Sequence, residues 1–119
     1  MELADRFMEA LERCDIDAAR AMYASDAKIW HNFSQKLQSV DENLKTLQWM
    51  HTVLSNIEYH IVRREAVPGG YYQQHELRGT LKSGEAFSMP ACAIIKVEGD
   101  VIVSLDEYLD SRHIKPLHA

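Results

Sequence analysis

The second half of the chain alternates apolar and polar residues with a period of two, and turn residues interrupt this alternation at three points. The turns are Pro68-Gly69-Gly70, Lys82-Ser83-Gly84-Glu85 and Glu98-Gly99-Asp100. A period of two is typical of strands with one buried face, and short turns join antiparallel neighbours. The pattern therefore predicts an antiparallel meander of four strands: Ile57–Val67, Tyr71–Leu81, Ala86–Val97 and Val101–Leu109.

The first half of the chain has helical spacing instead. A first helix is predicted over Leu3–Arg13, and a second over Ile16–Tyr23, with Asp15 as its N-cap. A short strand, Ala27–Phe33, follows. A third helix begins after Ser39 or Asp41, either of which is suited to cap it. The order ααβαββββ predicts a single α+β domain over residues 1–119, in which helices cover one face of the sheet.

Composition and charge exclude several classes of function. The formal net charge is −5, which disfavours binding to a nucleic-acid backbone. No apolar run approaches the ~20 residues that a membrane helix needs, so we expect no membrane association. The two cysteines, Cys14 and Cys92, are far apart and form no CxxC pattern. We expect reduced thiols in a cytoplasmic protein.

Cofactor motifs are absent from the sequence. No two histidines have the i,i+4 spacing of a helical metal site, and there is no glycine-rich phosphate-binding motif. We therefore expect neither a metal nor another cofactor.

His31 is the strongest candidate for a catalytic residue, at the end of the short strand. An imidazole titrates near pH ~6.5, so it accepts a proton at neutral pH without unusual tuning. The alternative is a histidine whose ring is satisfied by a backbone carbonyl. The neighbouring Asn32 is suited to donate its amide hydrogen to a ligand oxygen, although asparagine also ends strands as a turn former.

Either His75 or Glu76 faces the interior, depending on the register of the central hairpin. A two-residue turn at Ser83-Gly84 places Glu76 on the face of Phe87 and Met89. A three-residue loop, or a bulge, turns His75 inward instead, because a shift of one residue exchanges the faces. Leu77 is apolar and lies on the same face of the strand as His75, which favours His75 as the inward residue.

Glu107 shares one side of the last strand with aliphatic residues. Desolvation there would raise the pKa of its carboxyl group and suit it to hold or relay a proton. The alternative is an outward glutamate paired with a surface arginine. Three aromatic residues, Tyr23, Trp49 and Phe87, are simply explained as core, and in a hollow fold they would also line a pocket.

Two parts of the chain resemble members of the NTF2-like superfamily, which includes ketosteroid isomerases, SnoaL-type polyketide cyclases and limonene epoxide hydrolases. Asp15-Ile16 and Met22-Tyr23-Ala24 are similar to the opening of ketosteroid isomerases. Gly99-Asp100-Val101-Ile102 and Glu107-Tyr108-Leu109-Asp110 are similar to the final strand of SnoaL-type proteins. The resemblance extends over nearly the whole chain.

Gln73-Gln74-His75 and Pro90-Ala91-Cys92 are similar to small bacterial members of unassigned chemistry. The resemblance implies a cone, in which a curved sheet wraps around a long helix and leaves a cavity open at one end. It also implies a homodimer that forms through the outer face of the sheet.

The resemblance assigns His31 to the position of the isomerase base. Phe7 and Ala91 fall where those enzymes have their two oxyanion donors, so the usual steroid isomerase mechanism is not supported. The arginine and aspartate of the epoxide hydrolases fall at Gln74 and Glu76. In scytalone dehydratase, another member, paired histidines move protons. His31 and His75 resemble that pair if both point inward.

These observations predict a cofactor-independent enzyme that transfers protons on a small, mostly apolar cyclic molecule, as an isomerase, cyclase or dehydratase. His31 is the expected base, Glu107 or His75 the complementary acid, and Asn32 fixes a substrate oxygen. Two alternatives remain: a non-catalytic ligand-binding module, and a dimeric protein-interaction module.

Overall fold

A computed structural model describes residues Met1–His118. The helices are α1 (Glu2–Arg13), α2 (Ile16–Ala21) and α3 (Val40–Val53), and a 3₁₀ helix covers Ser111–His118. The strands are β1 (Tyr23–His31), β2 (Leu37–Gln38), β3 (Leu54–Val67), β4 (Gly70–Leu81), β5 (Ala86–Glu98) and β6 (Val101–Leu109). The predicted α+β fold is confirmed, and its four-strand meander follows α3; the short strand β2 and the 3₁₀ helix are additions to the predicted order.

One six-stranded sheet has the order β2-β1-β6-β5-β4-β3. All pairs are antiparallel except β1 with β6, which run parallel. The parallel pair places the end of β1 beside the end of β6, where His31 and Glu107 are register partners. This pairing joins the first and last strands and determines which side chains meet at the site.

Local sequence explains where α2 and α3 begin. The Asp15 side chain accepts a hydrogen bond from the backbone of Ala18 and so caps α2. Of the two caps considered for α3, Ser39 is the one used, and it forms a capping box with Glu42. Both caps satisfy backbone N–H groups that a helix start leaves unpaired.

The core lies between the helices and the inner face of the sheet. Apolar residues of α1 and α3, such as Phe7 and Leu44, pack in one cluster with Ile29, Ile95 and Ile102 of the strands. A helix with an apolar stripe must bury it against another element, and here the sheet supplies that element. The outer face of the sheet is left uncovered by the helices.

The helix–strand boundary near Tyr23 differs from the prediction. The predicted second helix extends to Tyr23, whereas α2 ends at Ala21 and β1 begins at Tyr23. Tyr23 pairs with Ile102, and a register shift lies between Tyr23 and Lys28. Tyr23 is buried against the ring of Phe7, so tertiary packing overrides the local helical preference of this segment.

Candidate active site

The carboxylate of Glu107 lies between two histidines on the inner face of the sheet. Nε2 of His31 is 3.1 Å from Oε1 of Glu107, and Nε2 of His75 is 3.2 Å from Oε2. Each oxygen therefore accepts a hydrogen bond from a different imidazole. The structure brings together the three residues that the sequence nominated as catalytic.

His75 faces inward because the loop between β4 and β5 has three residues. The backbone N–H of Leu81 donates to the carbonyl of Glu85, which leaves Lys82, Ser83 and Gly84 as the loop. His75 consequently pairs with Ala91. The buried neighbours of His75 on β4 are Gln73 and Leu77, as the three-residue alternative predicts. Glu76 lies on the opposite face.

The pKa of Glu107 is set by two opposing effects. Burial of the carboxyl group raises it, but the hydrogen bonds from His31 and His75, together with the positive charge that these rings carry when protonated, lower it from 4.5 to about 2. The sequence-based expectation of a raised pKa is therefore wrong, because it counted desolvation and did not include two donors. Glu107 is an anion at neutral pH and is not a proton donor in its ground state.

The two histidines differ in what their second ring nitrogen contacts. Nδ1 of His75 is 2.9 Å from Nε2 of Gln73. Nδ1 of His31 forms no hydrogen bond with any residue between Met1 and His118. In the neutral form of the ring, a proton on Nε2 that is donated to Glu107 leaves the lone pair on Nδ1.

A cavity of about 390 Å³ lies beneath this cluster, between the sheet, α1, α3 and the 3₁₀ helix. Its wall is mostly apolar, and His31, His75 and Glu107 form part of it. Phe7, Met8, Leu77, Met89 and Ile95 are among the apolar wall residues. An apolar cavity with a few convergent polar groups is the usual form of a small-molecule site.

Tyr59 belongs to this wall and was not among the candidates from sequence. Its ring lies edge-on to His75, with 5.5 Å between the ring centroids. Within residues 1–118 its hydroxyl has no hydrogen-bond partner, and it is not among the fully enclosed unpaired groups. Burial, with the nearby charge of Glu107, raises its pKa and keeps the phenol protonated. The period-two alternation of Ile57, Tyr59 and Ile61 in the sequence was the signal that could have placed Tyr59 on the inner face.

Trp49 lines the cavity, as the sequence allowed for a residue of α3. Its indole stacks on His118, with 4.8 Å between the ring centroids. His118 and the buried Leu117 come from the 3₁₀ helix, which the sequence did not predict. That helix contributes wall residues to the cavity, and the i,i+3 spacing of Ile114 and Leu117 was a signal that could have identified it.

Four residues that the sequence offered for the pocket lie outside the cavity wall: Asn32, Tyr23, Phe87 and Glu76. The Asn32 side chain forms two hydrogen bonds with the backbone of Leu109, of 2.9 and 3.0 Å. Tyr23 donates its hydroxyl to Asn43. Phe87 packs in a second apolar cluster, and Glu76 pairs with Arg78.

Two other features of the described chain bear on chemistry. Across Met1–His118, no group of three or more His, Cys, Asp or Glu side chains is placed to hold a metal ion. In the same range, no helix is long and apolar enough to cross a membrane.

The sequence profile of the SnoaL-like domain matches residues 4–105 of the chain. The chain belongs to the SnoaL-like family. A comparison with curated proteins found no match.

Solved structures share the SnoaL-like fold at low sequence identity. An NTF2-like protein of unknown function from Burkholderia pseudomallei is 16% identical, with a TM-score of 0.83 over 100% of this chain and 97% of that one. A putative SnoaL-like polyketide cyclase from Shewanella denitrificans is 13% identical, with a TM-score of 0.79 over 98% and 94%. An epoxide hydrolase of the limonene epoxide hydrolase type from Mycobacterium tuberculosis is 17% identical, with a TM-score of 0.79 over 98% and 87%. Identities this low establish the fold, and the reaction must be argued from the site.

Proposed function

We propose that this SnoaL-like protein is a cofactor-independent enzyme that transfers a proton on a small, mostly apolar cyclic molecule. One observation carries the proposal: Nε2 of His31 contacts Glu107, Nδ1 has no partner among residues 1–118, and His31 belongs to the cavity wall. A carboxylate that holds one ring nitrogen of a histidine makes the other nitrogen an oriented base. Isomerisation, cyclisation and dehydration all begin with such a proton transfer.

His31 would act as the general base. Its Nδ1 removes a proton from a carbon beside a carbonyl group, and the ring becomes an imidazolium. Glu107, 3.1 Å from Nε2, stabilises that cation because its low pKa keeps it ionised. The imidazolium then returns the proton to another carbon, in isomerisation, or to a departing hydroxyl, in dehydration.

Tyr59 would stabilise the negative charge that develops on the substrate oxygen. Tyr59 belongs to the cavity wall, and its protonated hydroxyl has no protein partner among residues 1–118. A positioned donor of this kind acts on the enolate formed by proton removal. Tyr59 thus supplies a function that Phe7, at the isomerase tyrosine position, lacks.

The wall also restricts the substrate class. Of the residues described, none in the wall is a lysine or an arginine, whereas Glu107 is an anion. A carboxylate substrate would meet a like charge without a partner. The volume of about 390 Å³ lies near the lower end of the usual range for ligand sites. We therefore propose a neutral cyclic ketone, enone or hydroxylated ring as substrate.

A non-catalytic ligand-binding module is the second candidate. Both oxygens of Glu107 already accept a histidine N–H, so the carboxylate is satisfied without a substrate. A protein of this kind would bind the same neutral molecules in the same cavity and leave their protons in place.

Hydrogen–deuterium exchange tests catalysis without knowledge of the natural substrate. Cyclic ketones and enones in D₂O are incubated with the protein, and loss of the signal from protons beside the carbonyl is followed by NMR. We expect faster exchange with the wild type, and a reduction of about 10²-fold or more in His31→Gln. His60→Gln is the matched control, since His60 is exposed and lies outside the cavity wall.

Binding is read separately from the two tryptophans. Trp49 lines the cavity, whereas Trp30 packs against Tyr108 on the outer face. A ligand in the cavity should change the fluorescence of the wild type and of Trp30→Phe, and should have no effect on Trp49→Phe. Binding without exchange, in wild type and His31→Gln alike, would support the binding module and contradict the enzyme.

The homodimer remains a prediction. We propose that two copies of the chain meet through the outer face of the sheet. Ile94 and Tyr108 on that face are 44% and 47% exposed. Contiguous exposed apolar residues of this kind are typical of contact surfaces. We expect Tyr108→Lys to lower the sedimentation coefficient to that of one chain, while an unchanged coefficient would contradict the proposal.

A further inference from the structure

A chain of hydrogen bonds runs from the protein surface to the candidate site. Asp5 on α1 accepts from Arg64, whose Nε donates to Oε1 of Gln73 at 2.9 Å. Nε2 of Gln73 lies 2.9 Å from Nδ1 of His75, and His75 contacts Glu107. Gln73 is completely buried, and Arg64 is mostly buried.

The direction of every bond in this chain follows from Arg64. A guanidinium group only donates, so it must face the carbonyl oxygen of the Gln73 side chain. The Gln73 NH₂ group therefore faces His75, and Nδ1 of His75 has to accept. The proton of the neutral imidazole is then on Nε2, from which His75 donates to Glu107.

Backbone geometry supports this arrangement. Arg64 and Gln73 are register partners on β3 and β4, and Gln73 and His75 are two residues apart on one face. A register shift between Ile61 and Arg63 changes the alternation on β3. As a result Arg64, and not Arg63, contacts Gln73.

We infer that Gln73 is a positioning residue that fixes His75 as an Nε2–H donor, so that both ring nitrogens of His75 are occupied. His31 is then the histidine of the pair whose nitrogen is left for a substrate. The assignment of roles rests on the proposed function, while the tautomer of His75 is a property of the free protein. Arg64 and Gln73 do not relay protons, because neither side chain gives up a proton at neutral pH.

The test is an NMR measurement of the ¹⁵N signals of the histidine side chains at neutral pH, without ligand. In the wild type we expect His75 to carry its proton on Nε2 and none on Nδ1. Gln73→Glu places a carboxylate beside Nδ1 of His75, and this ring nitrogen should then become protonated. Gln74→Glu is the matched control: it adds the same charge on the exposed face of the same strand and should leave His75 unchanged.

A wild-type His75 that carries its proton on Nδ1 would overturn the inference, whatever the variants do. An unchanged His75 in a folded Gln73→Glu protein would also overturn it. This readout requires no catalysis. If His75 behaves as expected but no ketone exchanges its protons, the proposed enzyme fails and the positioning role of Gln73 stands.

Discussion

The side chains of His75 and Glu107 meet across β5, although their strands are not neighbours in the sheet. Glu107 pairs with Ala93 of β5, and His75 pairs with Ala91. Both alanines are buried on the inner face. Their short side chains leave room above β5 for the 3.2 Å contact between Nε2 of His75 and Oε2 of Glu107.

Ala93→Leu should separate this pair. The longer side chain would occupy the space between His75 and Glu107 and cost about 1–3 kcal/mol of unfolding free energy through overpacking. Loss of one donor should also make the stability of the protein depend less on pH in acid. Urea unfolding near pH ~7 and ~3 measures both effects. Ala86→Leu is the control, at an exposed position of the same strand; equal pH dependence in wild type and Ala93→Leu would contradict this account.

Glu107→Gln should remove much of the acid sensitivity of the fold. Since the pKa of Glu107 is lowered to about 2 in the folded protein, the carboxylate stabilises it at pH values above its ordinary pKa of 4.5. That contribution is on the order of 3 kcal/mol, and it disappears as the pH falls from about 4.5 to 2. The unfolding free energies of wild type and Glu107→Gln should therefore converge in acid.

Urea titrations across that pH range provide the measurement. Glu58→Gln is a suitable control, because Glu58 is exposed on β3 and outside the cavity wall. We expect it to follow the wild type. A difference between wild type and Glu107→Gln that stays constant down to pH ~2 would show that the carboxylate is not stabilised by its charge.

Tyr59→Phe should affect function and spare stability. The hydroxyl forms no bond with residues 1–118, so its removal should change the unfolding free energy by less than about 0.5 kcal/mol. Ketone exchange should slow by about 10²-fold, as expected for loss of one oxyanion donor. The comparison is with Tyr72→Phe, whose hydroxyl bonds Glu65 away from the cavity. Equal exchange rates in both variants would exclude Tyr59 from the reaction.

Asn32→Ala should act on stability. The Asn32 side chain donates to the Leu109 carbonyl and accepts from the Leu109 N–H, and so joins the ends of β1 and β6. Leaving both backbone groups unpaired should cost about 1–3 kcal/mol. Asn32→Asp retains the acceptor and should fall between Asn32→Ala and wild type in thermal unfolding. Full stability of Asn32→Ala would mean that the bridge contributes nothing.

Much of the fold was predictable because it depends on local patterns. The meander strands begin and end within a few residues of the predicted bounds, since period-two alternation and turn residues mark them. Ser39 and Asp15 cap their helices by interactions that span three residues. His31 and Glu107 were identifiable as candidates from residue type and strand position.

Three features of the site depended on long-range pairing. The sequence left the choice between His75 and Glu76 open, because two-residue and three-residue loops are compatible with the same alternating pattern. The register shift that turns Arg64 toward Gln73 has no sequence marker. Asn32 was predicted to bind substrate, and only the parallel pairing of β1 with β6 shows its amide occupied by Leu109.

The sequence by itself determined the α+β class, the order of the three α-helices and the five longer strands, and the presence of a histidine and a glutamate at two strand ends. Those properties follow from periodicity, caps and turns, which act over a few residues. The tertiary structure decided which ring nitrogen of each histidine contacts Glu107 and which side chains share the cavity. Side-chain direction on a strand reverses with a one-residue change of register, and register is fixed by packing between segments distant in sequence.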